Sequence, residues 1–415
     1  MKKDMVVVGA GMVGISSALA LQKRGYQVTL IDKSPPASET SFGNAGMITP
    51  SSLVPFNNPT IMRSLPSFLT NKGTGFRYNA RYAFSELANL LKFLACANPA
   101  ATNQRIHALY QLIERSTELH RQWASASERQ QLLRPIGWLK LYRQQASFEK
   151  SKYERAILEQ YNIATTLLDN TKLAAFEPAL KPIYMQGLHI EEALSVASPS
   201  ELAKCYFDQF IALGGEFIEA SVNHLGREQL GFKLRLDSKG EQQTLLCEQL
   251  VVAAGPWSKA LLTMLSIKLP MIFERGAHRQ FASSDGPALK HAIHDVDGSF
   301  VASPNATGIR VTCGVQLQYH LAENSEVQLD LVTKNAQQGL AIDQPCISQW
   351  HGARPTLPDS MPVIGQSSIK GLWLNTGHQH IGFATGPGSA DILADLMQGV
   401  TTDNNNPFST TRFKM

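Results

Sequence analysis

The stretch "VVVGAGMVG", Val6–Gly14, decides how the rest of the chain is read. It follows "MKKDM", so a basic start meets an apolar run, which is the layout of a secretory signal. Three features argue against that reading. Asp4 interrupts the transition. Gly9, Gly11 and Gly14 sit inside what would be a continuous apolar helix. No small-residue cleavage site follows before "ISSALALQKRG". The competing reading is a nucleotide site. Met5–Val8 suits a short buried parallel strand. The three glycines spell G-x-G-x-x-G, residues 15–26 carry helical apolar spacing, and "QVTLID" is a second strand ending in Asp32. Asp32 lies 23 residues beyond Gly9, near the ~20 at which a ribose-binding acid stands. The glycines differ in what they permit. Gly9 makes the tight turn, Gly11 lets the backbone approach a pyrophosphate, and Gly14 lets the helix lie close on the strand. The helix N-terminus then turns its positive dipole end toward the phosphates. Met12 and Val13, inside the fingerprint, and Lys33, beside Asp32, belong to the same expected cofactor site.

Composition narrows the class. The 415 residues allow two or three domains, and 43% hydrophobic against 17% charged residues reads as globular. With 38 basic and 34 acidic residues the net charge is +4, too balanced to argue for nucleic acid. No apolar run reaches the ~18–20 residues of a membrane span. Cys96, Cys205, Cys247, Cys313 and Cys346 are scattered and form no C-x-x-C. Free thiols in a reducing cytoplasm are expected, with neither a disulfide framework nor a metal site.

Beyond Asp32, "KSPPASETSFGNAGMITPSS" reads as a loop. Helical spacing runs from about residue 85 to 131 and again through "FEKSKYERAILEQY", with "GWLKLYR" a strand between them. "SPSELAKCYFDQFIALGG" has a helix start, a helix and a glycine stop. "CEQLVVAAGPWS" is a buried strand ending in a small-residue turn. Residues 269–315 alternate short strands and turns, as in an antiparallel sheet. The chain after Glu323 is helical. "GLWLNTGHQHIGFATGPGSADILADLMQG" is strand, glycine-rich loop and helix, and "TTDNNNPFSTTRFKM" reads as a polar tail.

Three segments then point one way: the N-terminal β-α-β unit with "ETSFGNAGMITP" after it, "LVVAAGPWS", and "WHGARPTLPDSMPVIG" followed by "GHQHIGFATGPGSADILADL". In this order they resemble the D-amino-acid oxidase superfamily of FAD enzymes. The ETS-x-x-NAG loop is most similar to the bacterial D-amino acid dehydrogenase branch, which includes D-hydroxyproline dehydrogenases. The resemblance is weakest over roughly residues 59–180. It implies a mixed α/β fold with a Rossmann-like FAD-binding domain from 1–56, 196–266 and 346–415. Interleaved with it would be a substrate domain from 57–195 and 267–345, with an antiparallel sheet and a helical insert.

The resemblance also implies roles. Thr40 and Ser41 would serve the pyrophosphate, and Asn44, Ala45, Gly46 and Met47 would line the isoalloxazine; the competing reading is an ordinary turn-rich loop. Ala253, Ala254 and Gly255 resemble the family's second dinucleotide contact. Val222 matches the position whose main chain meets the adenine, or is plain core. Gly382, Phe383, Ala384 and Thr385 would meet the flavin N1/O2 region, ahead of a helix starting around Pro387–Ser389. Arg354, in "GARP", would clamp a substrate carboxylate, unless it makes a structural salt bridge. His378 and His380 either act as acid or base or order their loop, and His380 is the catalytic candidate of the two. His278, Tyr319 and His320 are weaker candidates for the pocket wall. "HGARPTLPD" lacks a cysteine, so FAD is expected to be noncovalent.

The implied reaction is oxidative deamination of a small D-amino or D-imino acid, such as D-alanine, D-proline or D-hydroxyproline, with hydride passing from Cα to flavin N5. Glycine or N-methyl amino acid oxidation stays open, as does a nucleotide-binding scaffold without turnover. The electron acceptor, a quinone or oxygen, is not written in the sequence. Cytoplasmic location is expected, with peripheral contact at the inner face of the membrane left open.

Overall fold

The strand Lys2–Val8 has no polar residue from Met5 to Val8, and all four of those side chains are buried. That suits the centre of a parallel sheet covered on both faces. In the computed structural model, which describes residues 2–127, 129–283, 286–413 and 415, it takes that place. Val28–Asp32 pairs with it in parallel on one side and Glu241–Val252 on the other, with Met5 opposite Val28 and Val8 opposite Val252. Glu216–Glu219 continues the sheet beyond Val28–Asp32, and Leu372–Thr376 pairs in parallel with the end of Glu241–Val252. The strands therefore end together near Val8, Asp32 and Val252. This is the carboxyl edge, where open α/β sheets bind ligands.

Four helices cover one face of this sheet. Met12–Lys23, Pro199–Ala212, Gly382–Met397 and Pro99–Ser125 share one core, built around Leu19, Tyr206, Phe210, Leu112, Trp123 and Leu393. The long helix Pro99–Ser125 starts at an Asn98 cap, whose side chain accepts from Ala101 N, with Pro99 at the first position. The sequence reading grouped it with the substrate-side segments. Its apolar stripe is instead buried against the C-terminal helix Gly382–Met397.

The second sheet is mostly antiparallel and is centred on Ile272–Ala282. Gly308–Thr312 and Val315–Leu317 lie on one side of that strand and Cys346–Thr356 on the other. Beyond Gly308–Thr312 follow Phe300–Asn305, Ala292–Asp295, Trp138–Tyr142, Gln186–Ile190 and Thr165–Asp169. Residues 346–356, grouped by the sequence reading with the FAD-binding segments, thus hydrogen-bond in this sheet, with Arg354 opposite Glu274. Their eleven-residue strand pairs what would otherwise be an open edge of Ile272–Ala282.

Two further expectations change. The final residues are not a loose tail. Phe408, Ser409, Thr410 and Met415 are buried, Asn406 donates to Ile364 O, and Arg412 pairs with Asp359. Their polar side chains satisfy neighbouring backbone and charge, so polarity here does not mean exposure. The last helix begins at Gly382, with Pro387 inside it. Pro387 has no N–H for the Phe383 carbonyl. His120 Nε2 from the long helix reaches Phe383 O and Ala384 O at 3.2 Å, and Ser116 Oγ donates to Ala384 O at 2.6 Å. Neighbouring side chains thus supply what the proline removes, and the helix runs through it.

Candidate active site

At the carboxyl edge Gly9 turns the chain with φ +111°, and a Cβ there would lie 2.5 Å from Ala253 O. Gly14 crosses so close that a Cβ would lie 1.7 Å from Gly9 O. The helix Met12–Lys23 has no side-chain cap and no acid in its first turn. Met12 N donates instead to Ser41 Oγ at 2.8 Å, which draws the Glu39–Pro50 loop over the helix N-terminus. Asp32 accepts from Ala10 N at 2.6 Å and Ser34 N at 3.0 Å. Burial pushes its carboxyl up from the usual range, and those two bonds oppose the shift. Lys33 lies 4.2 Å from the centre of the Trp257 ring.

A cavity of about 890 Å³ runs from this point between the two sheets, within the ~300–1,000 Å³ usual for cofactor and small-molecule sites. Most of the residues nominated from sequence line it. From the first unit these are Gly9, Gly11, Met12, Val13, Asp32 and Lys33. From the loop they are Thr40, Ser41, Asn44, Ala45 and Met47. Val222, Ala253, Ala254 and Gly255 come from the far half of the sheet, and Arg354, His380, Gly382, Phe383 and Ala384 from the C-terminal third. Gly14, Gly46 and Thr385 do not reach the cavity. Gly14 sets helix–strand packing, Gly46 binds Val196 N through its carbonyl, and buried Thr385 donates to Ile381 O. Among the weaker candidates, His278 lies behind the loop with Nδ1 3.3 Å from Gly43 O. Tyr319 packs edge-on against Tyr82, and His320 against Trp257. None of these three lines the cavity.

The loop is fixed from the second sheet. Thr40 Oγ1 donates to Ala353 O at 3.2 Å, and Arg310 Nη1 donates to Phe42 O at 2.9 Å and Asn44 O at 2.8 Å. Sequence reading missed Arg310, because nothing near it in the chain signals a partner 266 residues away. It also missed Trp350, whose ring occupies the space a side chain at Gly43 would need.

At the other end of the cavity the Arg354 guanidinium lies across Gly276, where a Cβ would come within 2.6 Å of Nη2. Its Nη1 donates to Gly314 O at 3.2 Å, and among the described residues no carboxylate stands within ion-pair distance of it. Its cross-strand neighbour Glu274 is buried, which pushes that carboxyl up, while Arg354 draws it back. His380 packs against Phe56 in a tilted arrangement, with ring centres 4.5 Å apart. Burial and the nearby Arg354 charge lower its pKa to about 3, so it is neutral at pH 7. Burial alone holds His378 at about 3. The side-chain atoms His378 Nε2, Gln379 Nε2 and His380 Nδ1 are buried without a partner among the described residues. Among the described residues the His380 side chain makes no hydrogen bond to its loop, in which Gln379 N bonds Pro355 O and Ile381 N bonds His378 O.

These features fit FAD. A Gly-rich turn and a helix N-terminus with no acid in its first turn can hold a pyrophosphate, and Asp32 keeps lone pairs for a ribose. Unpartnered polar side-chain atoms beside the start of Gly382–Met397 can meet the polar edge of a flat ring.

The fold and site together define a flavin-dependent oxidoreductase. The family model described as FAD dependent oxidoreductase (DAO) matches residues 4–396, and the chain belongs to that family. It is 30% identical to a D-amino acid dehydrogenase of Cereibacter sphaeroides, over 95% of this chain and 92% of that one. It is 27% identical to a D-amino-acid oxidase of Bradyrhizobium diazoefficiens, over 99% of both chains. Among solved structures, glycine oxidase from Bacillus cereus superposes with a TM-score of 0.74 over 98% of both chains at 19% identity, a likeness of fold. Among the described residues no helix is long and apolar enough to cross a membrane.

Proposed function

We propose that this enzyme oxidises small D-amino or D-imino acids, D-alanine, D-proline and D-hydroxyproline being the first to test. The observation that carries the reading is Arg354: a guanidinium facing the cavity that, among the described residues, has one backbone acceptor and no carboxylate paired to it. A planar fork in a desolvated site suits a substrate carboxylate. The curated relatives named for D-amino acids, similar over nearly the whole chain, favour that substrate class over glycine or N-methyl amino acids.

Bound FAD would supply a two-electron acceptor that takes hydride from the substrate Cα. Arg354 fixes the carboxylate and so orients Cα. Neutral His380 carries no charge that would compete for the carboxylate; its unpartnered Nδ1 is left to orient the amine or a water, and Phe56 holds its ring. The turn at Gly11–Gly14, with Ser41, would hold the pyrophosphate, and Asp32 the ribose. The first turn of Gly382–Met397, in the cavity wall, would turn its dipole's positive end toward a bound flavin. The imine product is released to water, where it hydrolyses if unstable. We propose noncovalent FAD: Cys346 is exposed on its strand, and the Cys313 thiol in the cavity wall is pushed up by burial and so is a poor nucleophile.

Anaerobic mixing of the yellow holoenzyme with a panel of D-amino and D-imino acids, sarcosine and glycine tests the reading. Bleaching by D-alanine or D-proline supports it; bleaching by sarcosine or glycine alone overturns it. Reoxidation of the bleached enzyme by oxygen or by a quinone identifies the acceptor.

A further inference from the structure

We propose that the face formed by the helices Ile61–Leu69, Ala80–Ser85 and Leu87–Ala95 docks on a bilayer of anionic phospholipid. The proposal is independent of the substrate reading.

The first observation is apolar. Neither Ile61–Leu69 nor Leu87–Ala95 buries a single residue. Met62, Pro66 and Leu69 recur at i, i+4 and i+7, and Leu87, Leu91 and Ala95 at i, i+4 and i+8, so each helix shows an exposed stripe. Phe84, between them, is 79% exposed, and Leu69 is 76% exposed. Single exposed leucines are ordinary, but a cluster of this kind marks an interaction surface.

The face is held firmly. Arg105, buried under the long helix's first turns, donates to Asn57 Oδ1 at 2.6 Å and also reaches Cys96 O, so it clamps both ends of the excursion. Asn57 Nδ2 donates to Phe93 O at 3.0 Å. Phe68 packs on Phe76 of the strand Phe76–Tyr78, and Tyr78 Oη donates to Leu69 O, which ties the first helix to the strand that leads into the next two. The exposed side chains are therefore presented by a fixed scaffold.

The second observation is charge. Residues 57–98 carry five cations, Arg63, Lys72, Arg77, Arg81 and Lys92, and one acid, Glu86. Glu86 is already paired with Lys259 at 2.9 Å. Among the described residues none of the five cations is in an ion pair. This one excursion holds an excess of four positive charges, equal to the +4 of the whole chain. Elsewhere the signs balance. Exposed apolar stripes interspersed along the same segment with unpaired cations match a surface that offers acyl chains beneath a layer of phosphates. The face also adjoins the cavity: Phe56, Asn58 and Thr60, in its wall, lead directly into the Ile61 helix. Docking would hold that end of the cavity at the lipid surface.

The test is flotation of the holoenzyme with vesicles of phosphatidylcholine alone or with about a quarter phosphatidylglycerol. The wild type should float with the anionic vesicles, less so at high salt. R81Q/K92Q should lower partitioning roughly 25-fold, at roughly fivefold per cation. L69S/F84S/L91S should lower it tenfold or more, with melting temperature, flavin content and turnover with a soluble dye unchanged. L230S/V400S, altering exposed apolar side chains elsewhere, should float as wild type. A wild type that ignores anionic vesicles overturns the proposal, as does a triple variant that still floats. If the wild type is a dimer in lipid-free buffer and the triple variant a monomer with unaltered flotation, a second copy covers this face and the proposal is likewise overturned.

Discussion

Replacing Arg354 with methionine removes a charge that the protein itself leaves nearly unpaired. Its one hydrogen bond among the described residues, to Gly314 O at 3.2 Å, is to a neutral acceptor. If a substrate carboxylate completes the site, the variant leaves that anion desolvated without its cation, which costs about 2–5 kcal/mol. Expressed as kcat/KM, the loss is roughly 30- to 5,000-fold. Arg354→Lys keeps charge but loses the planar fork, and should fall between methionine and wild type. The fold should survive both changes. Glu274 loses its neighbouring cation, but burial already pushes that carboxyl toward its neutral form. Steady-state kinetics with a D-amino acid and with its decarboxylated amine provide the assay, because the amine has no anion to strand. The amine should lose only a few-fold in kcat/KM. A folded, yellow Arg354→Met enzyme with near-native kcat/KM for the amino acid refutes the assignment. So does an equal loss on both substrates with a lowered melting temperature, which would make the arginine structural.

Asp32→Ala should weaken FAD by roughly 1.5–3 kcal/mol, about ten- to a hundredfold in Kd, read by flavin fluorescence titration; unchanged affinity would count against the fingerprint. Gly14→Ala forces a Cβ to 1.7 Å from Gly9 O, so little soluble holoenzyme should be recovered, and a normal yield would contradict the packing described. His120→Phe strips the Phe383 carbonyl of its partner beside Pro387, at a cost of about 1–3 kcal/mol, and should lower the melting temperature measurably. His378 is neutral in the fold down to about pH 3, whereas the unfolded chain takes up a proton below about 6.5. Stability should therefore fall as pH drops through that window, by at most about 1.4 kcal/mol per pH unit for this group. His378→Gln should flatten the melting-temperature profile there and leave the slope above pH 7 alone. Acid precipitation should release all flavin into the supernatant if the cofactor is noncovalent; flavin left in the pellet after washing would refute that.

The sequence by itself determined the parts whose cause is local. Gly9, Gly14 and Asp32 could be read because a tight turn, a close crossing and a strand-end acid each follow from residue type at fixed spacing. Arg354 stood out through its short "GARP" motif, and the loop from Thr40 to Met47 through its small residues. What the tertiary structure alone decided concerns partners far apart in the chain. Arg310 holds the loop by two carbonyls, and His120 relieves Pro387, across separations of 263 to 268 residues. The C-terminal helix starts at Gly382, five residues ahead of its proline, because that relief exists. The strand Cys346–Thr356 joined the second sheet because hydrogen-bonding edges are satisfied in space and leave no mark on composition. His380 shows the same limit: its position was legible, but its neutrality comes from burial and from the Arg354 charge, which only the folded chain brings beside it.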